Sequence, residues 1–540
     1  MLYRKNHYYT YEEIKMLLSA WQQGYPALLK VSSIGKSYEG REILAAEMTA
    51  GGKPESKPGI LINGNLHSKE LIGSNAVLYA MEYFLSGYGE NPYVTKLLEE
   101  KTLYFIPRIN VDGAEVSVAT PYTLRGSRRM FHEKEEGVYP ADINGDGEIV
   151  KMRIPSASGQ WKCDDIDSRL MVPRKEDDKE GVFYDLVTEG LVCGEITRPL
   201  KNARDPYDLD PNREFPFDWS KDTIGYTRRE CSGKYPLYEC EVRYLADFIF
   251  AHENINTVVD EHSCGGAYIA PMTFCQEHGG PDRDVEIFAR EGEKATKRTG
   301  YVSNGAFPPR LYGVARGSYT TWLYYERGIA AWCNENWNSR QLVEPVDADH
   351  PLPYMTALTP PEEQLKLERK LLAWDDAQEE SYFCPWTKFE HPQLGTVEIG
   401  GWKEKWIMDN PPKALIEQEC EKALQFILQC IDASPQLQAG NLAVTDSADE
   451  KFRSIELEVT NTGLFPISGT YQAETLGIAS GFTAKLFING RRYKAEDLQE
   501  NLAGSESMLL HFEIPKSLTG TFTVTVESRC AGNLSIEGSI

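Results

Sequence analysis

A histidine and a glutamate three residues apart, in His67-Ser68-Lys69-Glu70, stand where one apolar run ends and another begins. The first run, Gly59 to Leu66, reads as a buried strand; the second, Leu71 to Leu85, reads as a helix. Positions i and i+3 share a face on a first helical turn, so the two side chains can point the same way. An imidazole nitrogen and a carboxylate oxygen are two thirds of the His₂Glu set that holds a catalytic zinc and leaves one position for water. A third ligand, a proton acceptor and a substrate clamp have to come from elsewhere in the chain.

In open α/β sheets, sites form outside the carboxyl ends of the strands. Among nine histidines, His262 fits the third ligand best, because it ends the run Thr257-Val258-Val259-Asp260-Glu261 and precedes Ser263-Cys264-Gly265-Gly266. Small residues there let a ligand approach the backbone closely. The others, His7, His132, His252, His278, His350, His391 and His511, have no such setting and read as surface or core residues. Glu335 lies just past the apolar run Gly328 to Cys333, where a carboxylate beside a metal site can accept a proton from water. A clamp for a carboxylate calls for a forked cation, and Asp210-Pro211-Asn212-Arg213-Glu214-Phe215 sets Asn212 and Arg213 side by side on a loop.

These residues have to be positioned by a large molecule. At 540 residues the chain predicts two or three units. Its net charge of −24 argues against a nucleic-acid partner and against an anionic membrane surface. No apolar span reaches the roughly 20 residues of a membrane helix, and the polar N-terminus lacks a secretory h-region, so the expectation is a cytoplasmic protein. Eleven cysteines without CxxC pairs fit reduced thiols, although Cys163, Cys193, Cys231 and Cys240 lie in an irregular region where a bridge is conceivable.

Strand and helix signals alternate from residue 34 to 107 and again from 239 to 333, which predicts an α/β layer fold with a mixed, mostly parallel central sheet flanked by helices. Between them, a charged, Pro- and Gly-rich stretch breaks the rhythm and reads as an insertion at about 130–205. A catalytic unit over 1–435 is expected. From about 441, short alternating segments with Asn461-Thr462-Gly463, Asn489-Gly490 and Thr519-Gly520 turns predict a small all-β sandwich over 436–540.

In combination, the motifs resemble the zinc carboxypeptidase family, the metallocarboxypeptidases of the pancreatic type, in order over most of residues 8 to 340. Ile34 to Arg41 resembles the family's early iGxSxEGR element, and His67 to Glu70 its HxxE motif. Pro107 to Gly113 is similar to PxxNPDG with Val111 replacing Pro, and Asn212-Arg213-Glu214-Phe215 to NRNF with Glu214 replacing Asn. His262-Ser263 matches the third-ligand HS, and Gly317-Ser318, Trp322, Gly328-Ile329 and Glu335 follow the spacing to the catalytic glutamate. The resemblance implies one Zn²⁺ per chain on His67, Glu70 and His262, with Glu335 as general base. It implies Arg128 as the oxyanion partner, with Arg125 and Arg129 competing for that role. Asn212 and Arg213 would bind the terminal carboxylate of a peptide substrate, and Tyr312 would be the tyrosine that closes over it.

Departures refine the expectation. The segment from Gly317 to Trp322 has one extra residue and carries Thr320 and Thr321 where basic-specific members carry an acid, so a neutral or apolar terminal residue is expected. The insertion contains Asp142-Ile143-Asn144-Gly145-Asp146-Gly147, which resembles the first half of a calcium loop, but Arg153 replaces the bidentate Glu. Ca²⁺ on Asp142, Asn144 and Asp146 and a plain Asx-rich turn both remain open here. The leading reading is a carboxypeptidase. An amidase for cell-wall or γ-glutamyl peptides on the same zinc site, and a non-catalytic peptide-binding protein on the same fold, are the alternatives.

Overall fold

The computed structural model describes residues 3–222, 231–274, 278–303, 315–344, 360–447, 451–478, 481–498 and 501–540. Its centre is an eight-stranded sheet in the order Leu29–Lys36, Glu42–Met48, Thr102–Ile106, Gly59–Gly64, Ile255–Ser263, Ala330–Asn336, Ala267–Ile269 and Val302–Ser303. Thr102–Ile106, Gly59–Gly64, Ile255–Ser263 and Ala330–Asn336 run parallel, and antiparallel pairs flank them. Strands Gly59–Gly64, Thr102–Ile106 and Ile255–Ser263 are buried along their whole length. Helices cover both faces, which is why these strands read as nearly continuous apolar runs.

The covering helices form for local reasons as well. Tyr11–Gly24 starts at a capping box in which Thr10 and Glu13 satisfy each other's backbone N–H groups. It buries Tyr11, Ile14, Leu17, Leu18 and Trp21 at helical spacing. Leu71–Gly87 lies so close to the sheet that a Cβ on Gly73 would collide with the Glu261 carbonyl. That contact ties the helix bearing the HxxE motif to the strand bearing His262, so Gly73→Ala would push the two apart.

The insertion is an ordered β structure. Gly137–Pro140 pairs with Gly190–Cys193. Lys151–Pro155, Tyr184–Thr188, Trp161–Cys163 and Met171–Pro173 join Phe383–His391 and Gly395–Trp402 in a six-stranded sheet. Val138, Val150, Met152, Ile154, Val187, Val397 and Ile399 form its core, so two distant stretches of sequence bury one another. The chain leaves this sheet at Trp402 and turns through a single π-helical turn, Lys405–Asp409, into the helix Ile416–Ala433.

Residues from Leu437 onward build two antiparallel sheets around a shared apolar core that includes Ile455, Leu457, Leu486, Phe512 and Val524. Buried and partly exposed residues alternate along Phe482–Ile488, as a half-buried strand requires. This unit docks on the amino-terminal ends of the central strands. Asn256 donates to the Cys530 carbonyl at 2.6 Å, and Thr470 Oγ1 donates to the Gly328 carbonyl at 2.8 Å. The buried Asp284 accepts from the backbone N–H of Tyr471 and Gln472 at 3.0 and 2.9 Å. His262 and Glu335 are at the other end of the same strands.

The ten cysteines among the described residues are free, including Cys163, Cys193, Cys231 and Cys240. Among the described residues, no helix is long and apolar enough to cross a membrane.

Candidate active site

The turn after Gly59–Gly64 is built from its own side chains. Asn65 adopts φ 55°, in the left-handed region that Asn tolerates better than most residues. Its amide donates to the carbonyls of His67, Ser68 and Glu70 at 3.2, 3.3 and 2.9 Å, and the Ser74 hydroxyl donates to its oxygen. The turn therefore curls inward. Glu70 is the N-cap of the helix Leu71–Gly87, one step earlier than a place on its first turn.

His67, Glu70 and His262 come together, each offering one donor atom within 4.8 Å of the others. His67 Nδ1 stands 2.9 Å from Glu70 Oε1, His262 Nδ1 stands 2.8 Å from Glu70 Oε2, and the two Nδ1 atoms are 3.1 Å apart. Donors arranged tetrahedrally about 2.0–2.1 Å from a zinc ion lie roughly 3.3 Å from one another, so this donor set fits that ion in type and in spacing. The outward nitrogens are anchored too. His67 Nε2 lies 3.0 Å from Asp210 Oδ1, and His262 Nε2 lies 2.7 Å from Asp260 Oδ2. Such carboxylate–imidazole pairs set the tautomer and turn Nδ1 toward a metal.

Charge reinforces the geometry. Burial alone would raise the Glu70 carboxyl, but the His67 and His262 imidazoles hold it well below the usual carboxylate range. Burial likewise opposes ionisation of Asp210, and the Arg125 guanidinium and His67 overcome it and keep that carboxyl low. The His262 imidazole goes up against its burial because Asp260 and Glu70 flank it. Glu335 pairs directly with His262 across the parallel ladder, inside the strand Ala330–Asn336 and not beyond its end. Burial, then the charge of Glu70, pushes the Glu335 carboxyl up to about 8.

The arginine at the cluster is Arg125, which corrects the expectation of Arg128. Ser68 donates its backbone N–H to the Arg125 carbonyl at 3.1 Å and its hydroxyl to the Gly126 carbonyl at 2.9 Å. These bonds stitch residues 125 and 126 onto the HxxE turn and send the Arg125 side chain inward. Its Nε and Nη2 donate to Asp210 Oδ2 at 3.0 and 2.9 Å, and Nη1 lies 3.5 Å from Glu70 Oε1. Arg128 instead pairs with Glu39 at 3.1 Å and lies over the Tyr207 ring. Arg129 faces Glu239 at 3.1 Å.

Asn212 and Arg213 lie two and three residues past Asp210 on the same short 3₁₀ turn. Asn212 Oδ1 accepts from the Tyr319 N–H at 2.8 Å. Arg213 Nη1 donates to the Asn212 carbonyl at 2.6 Å, while its Nε is buried without a hydrogen-bond partner. Thr320 and Thr321 are buried in the first turn of the helix Tyr319–Arg327. The Thr321 hydroxyl donates to the Ser318 carbonyl at 2.8 Å and that of Thr320 lies 3.5 Å from Ser318 Oγ, so both bond within their own turn. Tyr312 lies outside the described residues.

The stretch Asp142, Asn144 and Asp146 is an Asx-rich turn closed on itself, and calcium there finds no support. Asp142 accepts from the N–H groups of Gly145 and Gly147 at 2.7 and 3.0 Å, and Asn144 Oδ1 accepts from Asp146 N–H at 3.0 Å. Among the described residues, the group of donors close enough to share an ion is His67, Glu70 and His262.

Residues 14–153 and 184–370 match the zinc carboxypeptidase family. The chain belongs to that family. Carboxypeptidase B of Astacus astacus is 34% identical over 330 residues, which are 60% of this chain and 83% of the relative. The inactive metallocarboxypeptidase ECM14 of Saccharomyces cerevisiae is 32% identical over 130 residues, 24% of this chain. That match, and one to a zinc carboxypeptidase of Saccharothrix mutabilis subsp. capreolus, span 30% and 29% of those relatives' lengths. The solved carboxypeptidase A of Helicoverpa armigera aligns with a TM-score of 0.42 at 17% identity, covering 70% of this chain and 76% of that one.

Asp210, Asp260 and Arg125 are the site residues that motif reading left unassigned. Asp260 could have been found from its place two residues before His262, since alternate residues of a strand share a face. Asp210 could have been found from its place two residues before Asn212.

Proposed function

We propose that this protein is a zinc-dependent carboxypeptidase that removes the terminal residue from peptides with a free C-terminal carboxylate. The observation that carries the reading is the meeting of His67, Glu70 and His262 with Glu335 in register beside His262. His67, Glu70 and His262 would hold the ion. A zinc ion there supplies Lewis acidity, which polarises a carbonyl and makes water more acidic.

The remaining chemistry belongs to the protein's own groups. Glu335 takes a proton from water as the water oxygen bonds to the scissile carbonyl carbon, then delivers it to the amine nitrogen as the C–N bond breaks. A carboxyl tuned upward by burial accepts the proton from water more readily than an ordinary carboxylate does, and the more basic amine nitrogen can still take that proton from it. Arg125, held by Asp210 along one edge, directs positive charge at the oxygen that becomes negative. Asn212 and Arg213 receive the terminal carboxylate, the planar guanidinium fork matching its two oxygens. Residues 318–322 include no acidic side chain, in keeping with a neutral or apolar terminal residue.

The test measures zinc content together with hydrolysis of N-blocked dipeptides, each with a free and an amidated C-terminus. One zinc per chain and release of the terminal residue far faster from the free acids than from the amides is the expected result. Stoichiometric zinc with no cleavage of any free acid would sink the reading.

A further inference from the structure

Helix N-termini carry N–H groups without intrahelical partners, and the side chain of the N-cap residue ordinarily accepts from the second or third of them. The helix Leu71–Gly87 cannot use that solution. Its N-cap is Glu70, whose carboxylate faces His67 and His262 and makes no capping bond. The N–H of Ile72, the second residue of the helix, is instead taken by Asn410 Oδ1 at 3.0 Å. The same Asn410 side chain donates from Nδ2 to the Lys69 carbonyl at 2.9 Å and to the Lys405 carbonyl at 3.1 Å. Asn410 is fully buried. It grips the backbone on both sides of Glu70.

The segment that brings Asn410 there touches each strand end that carries the site. The Lys69 ammonium donates to Asp409 Oδ1 at 2.7 Å, and Ser263 Oγ, next to His262, donates to the Asp409 carbonyl at 2.6 Å. Trp337 Nε1, two residues past Glu335, donates to the Ile407 carbonyl at 2.9 Å. The segment follows directly on Gly395–Trp402, the strand that pairs with the insertion. The second sheet is therefore joined, through a few residues, to the geometry of the site.

We infer that Asn410 is a positioning residue for the metal site: it caps from outside the helix whose own cap residue is a metal ligand, and so leaves the Glu70 carboxylate to the ion. The inference rests on the proposed zinc site. Residues that orient metal ligands from behind typically change affinity about 10- to 100-fold when altered.

The experiment is the zinc dissociation constant of the full chain, measured by competition with a chelator. Asn410→Ala should hold zinc about tenfold or more less tightly. Asn410→Asp keeps an acceptor for Ile72 N–H but loses the donor to the Lys69 carbonyl. It should hold zinc about threefold or more less tightly, and it carries the test if the alanine variant does not fold. The control is Thr470→Ala, which removes the N-cap of Tyr471–Thr475 at the opposite end of the molecule. It should lower the melting temperature and leave zinc affinity unchanged. Wild-type affinity in folded Asn410→Ala, or in Asn410→Asp where that variant carries the test, overturns the inference. So does a Thr470→Ala variant that loses zinc as readily as the Asn410 variants, because the effect is then only global stability. A wild-type chain that binds no zinc removes the metal site itself, which is a distinguishable outcome.

Discussion

His262 and Glu335 are partners in one parallel ladder, a metal-ligand candidate and a candidate proton acceptor at the same level of adjacent strands. The residues on either side of Glu335 point away from the site. Asn334 and Asn336 both donate to Glu261 Oε2, at 2.8 and 2.6 Å. Strand alternation then obliges Glu335 to face the cluster.

Glu335→Gln keeps the shape of this arrangement and removes the proton acceptor. Turnover should fall by about 10²–10⁴-fold with zinc content unchanged. Single-turnover hydrolysis and metal analysis of the same sample check it; an active variant would show that the base lies elsewhere.

Asp210→Asn and Asp260→Asn each weaken the group that orients one imidazole. Both should reduce zinc affinity by about 10- to 100-fold. Asp210→Asn should also depress kcat, because it releases Arg125, whereas Asp260→Asn should spare kcat at saturating zinc. Chelator competition and kinetics at excess zinc separate the two effects.

Arg213→Ala removes the guanidinium whose Nε has no partner in the protein. A hydrogen bond to a charged group contributes about 1.5–3 kcal/mol, so kcat/KM for free-acid peptides should drop roughly 10- to 100-fold. Slow turnover of amidated peptides should be unaffected. Equal losses on both substrates would contradict the clamp.

Glu214 is buried, accepts from the Glu239 N–H at 2.7 Å, and has its carboxyl pushed well above the usual range by burial and by the charge of Glu239. Glu239 is itself pushed up to about 7, chiefly by burial. Above the ordinary carboxyl range the unfolded chain has released these protons and the folded chain has not. Stability therefore falls as pH rises from about 4.3 toward the folded values. Glu214→Gln, which mimics the protonated acid, should match the wild type near pH 4 and be the more stable of the two at pH 8. Thermal melts across that range would decide it, and a constant difference between the two proteins would refute the assignment.

The residues that the structure gathers at the candidate site were legible in the sequence because each is announced by its own neighbourhood. Gly59 to Leu66 is a largely apolar run that ends at His67, the strand signal Thr257 to Glu261 ends at His262, and the apolar run Gly328 to Cys333 ends just before Glu335. Burial on both faces of a parallel sheet leaves that imprint whatever lies around it. The choice among Arg125, Arg128 and Arg129 left no such imprint. Three like residues share one polar stretch, and bonds from Ser68, more than fifty positions away, decide which turns inward.

The same reason hides the pairing of Lys151–Pro155 with Gly395–Trp402 and the capping of Ile72 by Asn410. Sequence encodes periodicity and local chemistry, which are properties of neighbours along the chain. Which distant carbonyl or N–H a side chain satisfies depends on the packed arrangement of the sheets, and only the tertiary structure sets that.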